Sequence, residues 1–103
     1  MATFIKTLYA GDLPEGTMKH VMVGRKHIAL ANIDGNIFAL DDTCTHEYCS
    51  LGDEGFLGGN VVTCGCHGAQ FDVTTGKVLS LPATGDLATY HTKTENGYIY
   101  VEI

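Results

Sequence analysis

Four residues near the middle of the chain carry donor atoms suited to a metal centre. A C-x-H motif supplies Cys44 and His46, and a C-x-x-H motif supplies Cys64 and His67, with residues 47 to 63 between them. Each motif offers one thiolate sulfur and one imidazole nitrogen. Because thiolate and imidazole are ligands of both zinc and iron, the pattern predicts a metal site shared by two loops.

Two other interpretations of these residues compete. Zinc binds sets of two cysteines and two histidines, but structural zinc sites space like ligands as C-x2-4-C and H-x3-5-H, which the four candidates do not. The four cysteines could instead form two disulfides in a secreted chain. Residues 1 to 6 show no cationic start followed by a long apolar stretch, so we expect a protein that is not exported.

The sequence after the second motif narrows the choice. It continues with Gly68, Phe71, Asp72, Thr75, Gly76, Lys77 and Pro82. This order resembles the C-x-x-H-G-x-x-F-D, T-G-K and P run of soluble Rieske ferredoxins, the small electron carriers that serve ring-hydroxylating dioxygenases. In Rieske centres two histidines replace two of the usual four cysteines, so one iron takes both thiolates and the other takes both imidazoles. The resemblance therefore implies one 2Fe-2S cluster held by Cys44, His46, Cys64 and His67.

The resemblance also implies a function. It predicts a one-electron carrier, not an enzyme in itself, that passes electrons from a flavin or iron-sulfur reductase to a terminal oxygenase. The outer ring edges of His46 and His67 are then the expected exit for the electron. Two alternatives stay open: a small Rieske subunit of a larger nitrite- or arsenite-type oxidoreductase, and a structural zinc-binding interaction module.

Two features of the sequence predict opposite shifts of the redox potential. Cys49 and Cys66 match positions where high-potential Rieske proteins carry a disulfide, although a reducing cytosol favours free thiols. Ala69 and Phe71 stand where the high-potential type has serine and tyrosine, whose hydroxyl groups raise the potential by hydrogen bonding to the cluster and its ligand sulfurs. Without these donors we expect a value toward the low end of the range of about -150 to +300 mV.

Composition and charge exclude several classes of protein. The chain has 103 residues and a formal charge of -6, which argues against nucleic-acid binding because phosphate contacts need clustered Lys and Arg. No apolar run approaches the roughly 18 residues that cross a bilayer, so we expect no membrane association and a cytoplasmic monomer.

Acidic residues are concentrated around the first motif. They are Asp41, Asp42, Glu47, Asp53 and Glu54, and residues 41 to 54 contain no Lys or Arg. This patch is either a solvated loop surface or a surface that meets a basic rim on a redox partner.

Hydrophobic periodicity predicts an all-β protein. Short strands are expected at 4–8, 18–23, 27–33, 36–40, 61–63, 71–73, 77–79, 87–92 and 98–103. Asp34-Gly35 and Asn96-Gly97 are signals for two-residue hairpin turns. We expect only single helical turns, at 12–16 or 50–54. The resemblance implies one Rieske domain over 1–103, with an antiparallel sandwich or barrel base at about 1–42 and 82–103 and a small cluster-binding lobe inserted at about 43–81.

Overall fold

The computed structural model describes residues 3–42, 50–65, 68–80 and 85–103, and short antiparallel strands make up most of it. The strands are β1 (Phe4–Tyr9), β2 (Met18–Val23), β3 (Lys26–Ile33), β4 (Asn36–Asp41), β5 (Phe56–Gly58), β6 (Val61–Thr63), β7 (Gln70–Asp72), β8 (Val78–Ser80), β9 (Thr89–Tyr90), β10 (Thr92–Glu95) and β11 (Tyr98–Glu102). A 3-10 turn at Ala10–Asp12 and a short helix α1 at Leu51–Glu54 complete the elements of these ranges. The all-β prediction is confirmed.

The strands form three antiparallel sheets. The first has the order β1-β11-β10, the second β2-β3-β4-β9 and the third β5-β6-β7-β8. The first sheet joins the two ends of the described chain, because Phe4 pairs with Glu102. Beyond this pair, Thr3 and Ile103 exchange two backbone hydrogen bonds of 3.2 and 3.1 Å.

Strand β3 of the second sheet is buried on both faces over most of its length. Successive side chains of a strand point to opposite faces. Ile28 and Leu30 therefore enter one apolar cluster, whereas Ala29, Ala31 and Ile33 enter the other. Burying a side chain such as Ile or Leu stabilises the folded state by about 1.5–3 kcal/mol, so β3 contributes to two cores at once.

The two cores connect the second sheet to the other two sheets. Ile99 and Val101 of β11 belong to the cluster of Ile28 and Leu30. The other cluster contains Val62 of β6 and Phe71 of β7, together with Ala29, Ala31 and Ile33. The second sheet is thus the middle layer, and the third sheet packs on one of its faces.

Both predicted two-residue turns are confirmed by the backbone. Asp34 and Gly35 have φ angles of 53° and 88°, and Asn96 and Gly97 have 53° and 84°. A type I′ turn requires positive φ at both central residues, and its twist matches that of the flanking strands. These short signals place the turns that set the pairing of β3 with β4 and of β10 with β11.

The predicted strand at 87–92 is wrong. Its residues belong to two sheets, because Thr89–Tyr90 pairs with β4 while Thr92–Glu95 pairs with β11. The chain changes sheet at His91. Alternation along the sequence cannot reveal such a change, since both strands need the same period of two.

The helical turns are close to where they are expected. Helix α1 lies within the predicted range, and the Ser50 hydroxyl caps it by accepting a 3.1 Å bond from the backbone N–H of Asp53. The 3-10 turn begins at Ala10, two residues earlier than predicted. With four residues, α1 is far too short to cross a bilayer, and none of the helices in the described ranges could do so.

Candidate metal centre

The hairpin of β6 and β7 carries the second ligand motif. Cys64 follows β6 directly, and its backbone N–H donates a 2.7 Å hydrogen bond to the carbonyl of Ala69, just before β7. Gly68 closes the turn by donating a 3.0 Å bond to the Cys64 carbonyl. Its φ of 79° is in the region that glycine enters without steric cost. This short, closed turn holds Cys64 at the end of a paired strand.

The remaining candidate ligands lie outside the described residues. They are Cys44, His46 and His67, together with the candidate disulfide residues Cys49 and Cys66 and the loop residue Pro82. Among the four proposed ligands, the structure describes Cys64, whose side chain is only 2% exposed.

Asp42 closes the base of the loop that contains the first motif. Its backbone carbonyl accepts a 2.8 Å bond from the N–H of Leu51, where the chain returns. Its side-chain Oδ1 accepts a second bond, of 2.7 Å, from the N–H of Gly52. The chain therefore leaves the second sheet and comes back at one fixed place.

A third loop is closed in a similar way. The Asp86 carboxylate accepts a 2.8 Å bond from the backbone N–H of Val78, on the other side of residues 81–84. The Leu87 N–H then donates a 2.7 Å bond to the carbonyl of Gly76. This loop also begins and ends at neighbouring points.

The ends of the three loops meet in one apolar cluster. Leu51 follows the first loop, Cys64 begins the second and Leu87 follows the third, and all three belong to the same buried group with relative exposures of 0%, 2% and 4%. A thiol in such a place is shielded from water, and the apolar surroundings of a metal site control its potential and solvent access. The described residues therefore fit a 2Fe-2S cluster held between the loops.

Ala69 and Phe71 lie beside Cys64 in this cluster and are fully buried. Neither carries a hydroxyl group. The two side chains expected to lack hydrogen-bond donors therefore lie in the same buried cluster as Cys64.

A pair of histidines next to Asp42 was not anticipated as a unit. His20 Nε2 lies 2.8 Å from His27 Nδ1, and the two rings stack with an interplanar angle of 13°. His20 Nε2 is also 3.9 Å from Asp42 Oδ2, and its Nδ1 is 3.5 Å from Asp53 Oδ2. The pair could have been predicted from the register of the β2–β3 hairpin. Met22 pairs with His27, which places His20 diagonally opposite His27 on the same face.

The predicted acidic patch needs one correction. Asp42 is only 2% exposed, so it is a buried hydrogen-bond acceptor and no part of a surface that faces solvent. Asp53 is different, since 63% of its side chain is exposed. The stretch without basic residues extends beyond residues 41 to 54, because the sequence contains no Lys or Arg between Lys26 and Lys77.

Two hydrogen-bonded groups near the loops have shifted pKa values. Burial, reinforced by the 2.6 Å bond to Asp41 Oδ1 and by the charge of that carboxylate, raises the pKa of Tyr90 to about 12. The Thr74 hydroxyl donates a 2.6 Å bond to Asp72 Oδ1 and lowers the pKa of Asp72. The first contact joins Tyr90 of β9 to Asp41 at the end of β4, and the second lies within the turn between β7 and β8.

Comparison with known protein families gives the class of the protein. Residues 3–91 match the Rieske [2Fe-2S] domain family, and this chain belongs to that family. Membership means one 2Fe-2S cluster and makes a zinc module the wrong interpretation of the donor set. The chain is 46% identical over 85 residues to the ferredoxin component of the naphthalene 1,2-dioxygenase/salicylate 5-hydroxylase systems of Ralstonia sp, covering 82% of this chain and 81% of that protein. It is 36% identical to the ferredoxin component of the naphthalene 1,2-dioxygenase system of Pseudomonas putida, covering 97% and 95%.

Solved structures agree in fold. A chain in the complex of reduced oxygenase and oxidized ferredoxin of carbazole 1,9a-dioxygenase matches with a TM-score of 0.87 and 35% identity, covering 95% of this chain and 91% of that one. The ferredoxin of Sphingomonas yanoikuyae B1 matches with a TM-score of 0.91 and 26% identity, covering 98% and 99%. The likeness extends over almost the whole of each chain.

Proposed function

We propose that this protein is the ferredoxin of a ring-hydroxylating dioxygenase system, which takes single electrons from a flavin or iron-sulfur reductase and passes them to a terminal oxygenase. The observation that carries the proposal is the buried Cys64 at the point where the ends of three loops meet. The relatives support it, because proteins similar over 97% of this chain are named as ferredoxin components of such systems.

The cluster ligands are Cys44, His46, Cys64 and His67, and residues 43–81 form the cluster-binding lobe of a single domain. The mixed donor set supports this assignment, since thiolates suit one iron and neutral imidazoles the other. When bound, the cluster accepts and releases one electron. The protein's own residues hold it, shield it on the core side and leave two imidazole edges for a partner to approach.

Cys49 and Cys66 are proposed to form a disulfide between the first and second ligand loops. The support is the match to the high-potential pattern, and a reducing cytosol opposes it. Thiol labelling of denatured, unreduced protein decides the matter: absence of label on both residues supports the bond, and label on both refutes it.

The role of a permanent subunit in a larger reductase has less support. The small subunit of a putative NADPH nitrite reductase matches with a TM-score of 0.80, but at 20% identity, and this similarity concerns the fold alone. The relatives of 35% identity or more that are described above point to separate ferredoxin components instead.

The first experiment is low-temperature EPR of the dithionite-reduced protein with a redox titration over pH. A rhombic signal whose average g lies below that of all-cysteine clusters is expected. Loss of the signal in His67→Ala, with the signal kept in the control His91→Ala, would support the ligand assignment. An unchanged spectrum in His67→Ala would remove His67 from the ligand set.

Partner specificity is tested by reconstitution. Reduced protein should reoxidise when mixed with a ring-hydroxylating oxygenase in its oxidised form, and it should be reduced by a flavin or iron-sulfur reductase with NADH. Failure to exchange electrons with any oxygenase, in a protein that shows the EPR signal, would refute the proposed partner class but leave the cluster in place.

We also propose a cytoplasmic location. It is supported by the expected reductase, since flavin enzymes of this kind draw hydride from reduced nicotinamide. Fractionation of the native host with an antibody to the chain is the measurement, and recovery in an exported fraction would overturn the proposal.

A further inference from the structure

We propose that Asp42 is a positioning residue that fixes the first ligand loop, so that Cys44 and His46 stay in place to hold the cluster. This inference rests on the proposed function for the identity of the loop as a ligand loop. The carboxylate of Asp42 does not itself contact the cluster in this proposal. It acts through the backbone on either side of the loop.

The hydrogen bonds of Asp42 connect three parts of the chain. Its N–H donates a 3.0 Å bond to the carbonyl of His27 at the start of β3. Its carbonyl accepts from Leu51 at 2.8 Å, and its Oδ1 accepts from Gly52 at 2.7 Å. One buried residue thus links the central sheet to both the outgoing and the returning end of the loop at 43–50.

The returning end is held from the other side as well. A side chain at position 52 would collide with the backbone of Lys19 and His20, so the glycine lets α1 lie directly on β2. Leu51 is fully buried. Gly52 therefore lies between β2 and the Asp42 carboxylate, and movement of either end of the loop must break a bond or open the core.

The second oxygen of the carboxylate faces the histidine pair. Asp42 Oδ2 is 3.9 Å from His20 Nε2, which in turn contacts His27 Nδ1 at 2.8 Å. A carboxylate buried without partners is costly, and this one is surrounded by an N–H donor and an imidazole. The arrangement keeps a hydrogen-bond acceptor two residues before the first proposed ligand.

A carboxylate can accept a stronger hydrogen bond at this position than a neutral side chain can. Hydrogen bonds to ionised groups are roughly twice as strong as those between neutral groups. Losing one changes a local opening equilibrium by about ten-fold or more. The expected result of weakening the contact is a loop that opens more often and a cluster that is released sooner.

The test compares two variants that each remove one negative charge. Asp42→Asn weakens the acceptor of the Gly52 N–H, whereas Asp41→Asn changes the neighbouring residue, whose Oδ1 accepts from Tyr90 rather than from the loop. Amide exchange at Gly52 is measured by NMR, the half-life of the bound cluster is measured under a chelator, and the EPR spectrum and midpoint potential are recorded. Asp42→Ala, which removes the acceptor completely, extends the series if it folds.

The expected result is that Asp42→Asn speeds Gly52 exchange and cluster release several-fold and alters the g values, while Asp41→Asn does neither. Asp42→Ala should show the larger change, about ten-fold or more, with exchange in β3 unaffected. Equal behaviour of the two asparagine variants, including equal shifts in potential without a change in Gly52 exchange, would mean that Asp42 acts by charge alone and would overturn the proposal.

The outcome is separable from that of the proposed function. Exchange at Gly52 is read from the protein whether or not it binds a Rieske cluster. A wild-type chain with no Rieske signal would refute the ligand loop and with it this inference. A normal signal with unchanged Gly52 exchange in Asp42→Asn would refute the role of Asp42 alone.

Discussion

Ala69 and Phe71 carry no hydroxyl group that could donate a hydrogen bond to the proposed cluster. Both are fully buried in the apolar group that contains Cys64. Donors to the ligand sulfurs stabilise the reduced, more negative state. An alanine and a phenylalanine at these positions cannot donate such hydrogen bonds, so we expect a lower potential than in a protein with serine and tyrosine there.

The double variant Ala69→Ser with Phe71→Tyr should raise the midpoint potential, because it supplies two hydroxyl groups near the cluster. The expected rise is toward the upper half of the family range of about -150 to +300 mV. Redox titration followed by EPR measures it. Ala31→Ser is the matched control, since it adds a hydroxyl group to the same apolar cluster from β3; a similar rise there, or none in the double variant, would contradict this explanation.

Tyr90 should make stability depend on alkaline pH. Its pKa is about 12 in the folded protein and near 10.0 in an unperturbed chain. The folded state therefore keeps a proton that the unfolded chain loses. Its contribution to the free energy of unfolding is complete below pH 10 and decreases as the pH rises toward about 12.

Urea unfolding at a series of pH values above about 9 measures this contribution. Tyr90→Phe should be less stable near neutral pH, by about 0.5–1.5 kcal/mol for one hydrogen bond, and should lose less stability on going to alkaline pH. An identical alkaline slope in the wild type and the variant would assign the effect to other groups.

Cys64 and Asp42 show which properties of a residue can be predicted from its local sequence. Cys64 was proposed as a ligand from a motif that is contiguous in sequence, and the structure places it in the apolar core at 2% exposure. Asp42 was predicted as surface charge, yet it is buried, because its partners Leu51 and Gly52 lie beyond a loop. Its burial depends on hydrogen bonds with residues nine and ten positions later, which a local sequence pattern does not predict.

At the scale of elements, the hairpin turns carry the most local information. Asp34-Gly35 and Asn96-Gly97 were predicted correctly because the turn type depends on two adjacent residues. The change of sheet at His91 was missed because it depends on the distant strands β4 and β11. Strand existence was therefore predictable over most of the chain, whereas the sheet to which a strand belongs was not.

Gly35→Ala should destabilise the protein by about 1–2 kcal/mol, because an L side chain is strained in the left-handed region. The φ of Gly35 is 88°. Gly58→Ala is the control, since a Cβ there meets nothing within 4 Å and no positive φ requires glycine. Urea unfolding of both variants is the measurement, and equal losses of stability would contradict the assignment of strain to the turn.

At the scale of the whole molecule, charge is distributed unevenly. The stretch from residue 27 to residue 76 contains both ligand motifs but no Lys or Arg. A partner with a basic rim would therefore be attracted to this part of the protein. Such steering weakens as salt shortens the Debye length to about 10 Å at 0.1 M.

The rate of electron transfer to an oxygenase should fall as ionic strength rises. Asp53→Asn should lower the rate at low salt and reduce its salt dependence, because Asp53 is an exposed carboxylate in the stretch without cations. Stopped-flow mixing at a series of salt concentrations measures the rate and its salt dependence. Asp12→Asn is the matched control, since it removes one exposed negative charge outside that stretch. A rate independent of salt would exclude the steering.

The pairing of Thr3 with Ile103 brings the two ends of the described chain together. The two ends of the described chain lie side by side and exchange two hydrogen bonds, so a short glycine-rich linker could join residues 3 and 103. New ends could then be opened at the Asp34-Gly35 turn, which lies outside both ligand motifs. A circularly permuted carrier, with its sheets intact and its attachment point for a fused reductase relocated, is thus compatible with this architecture.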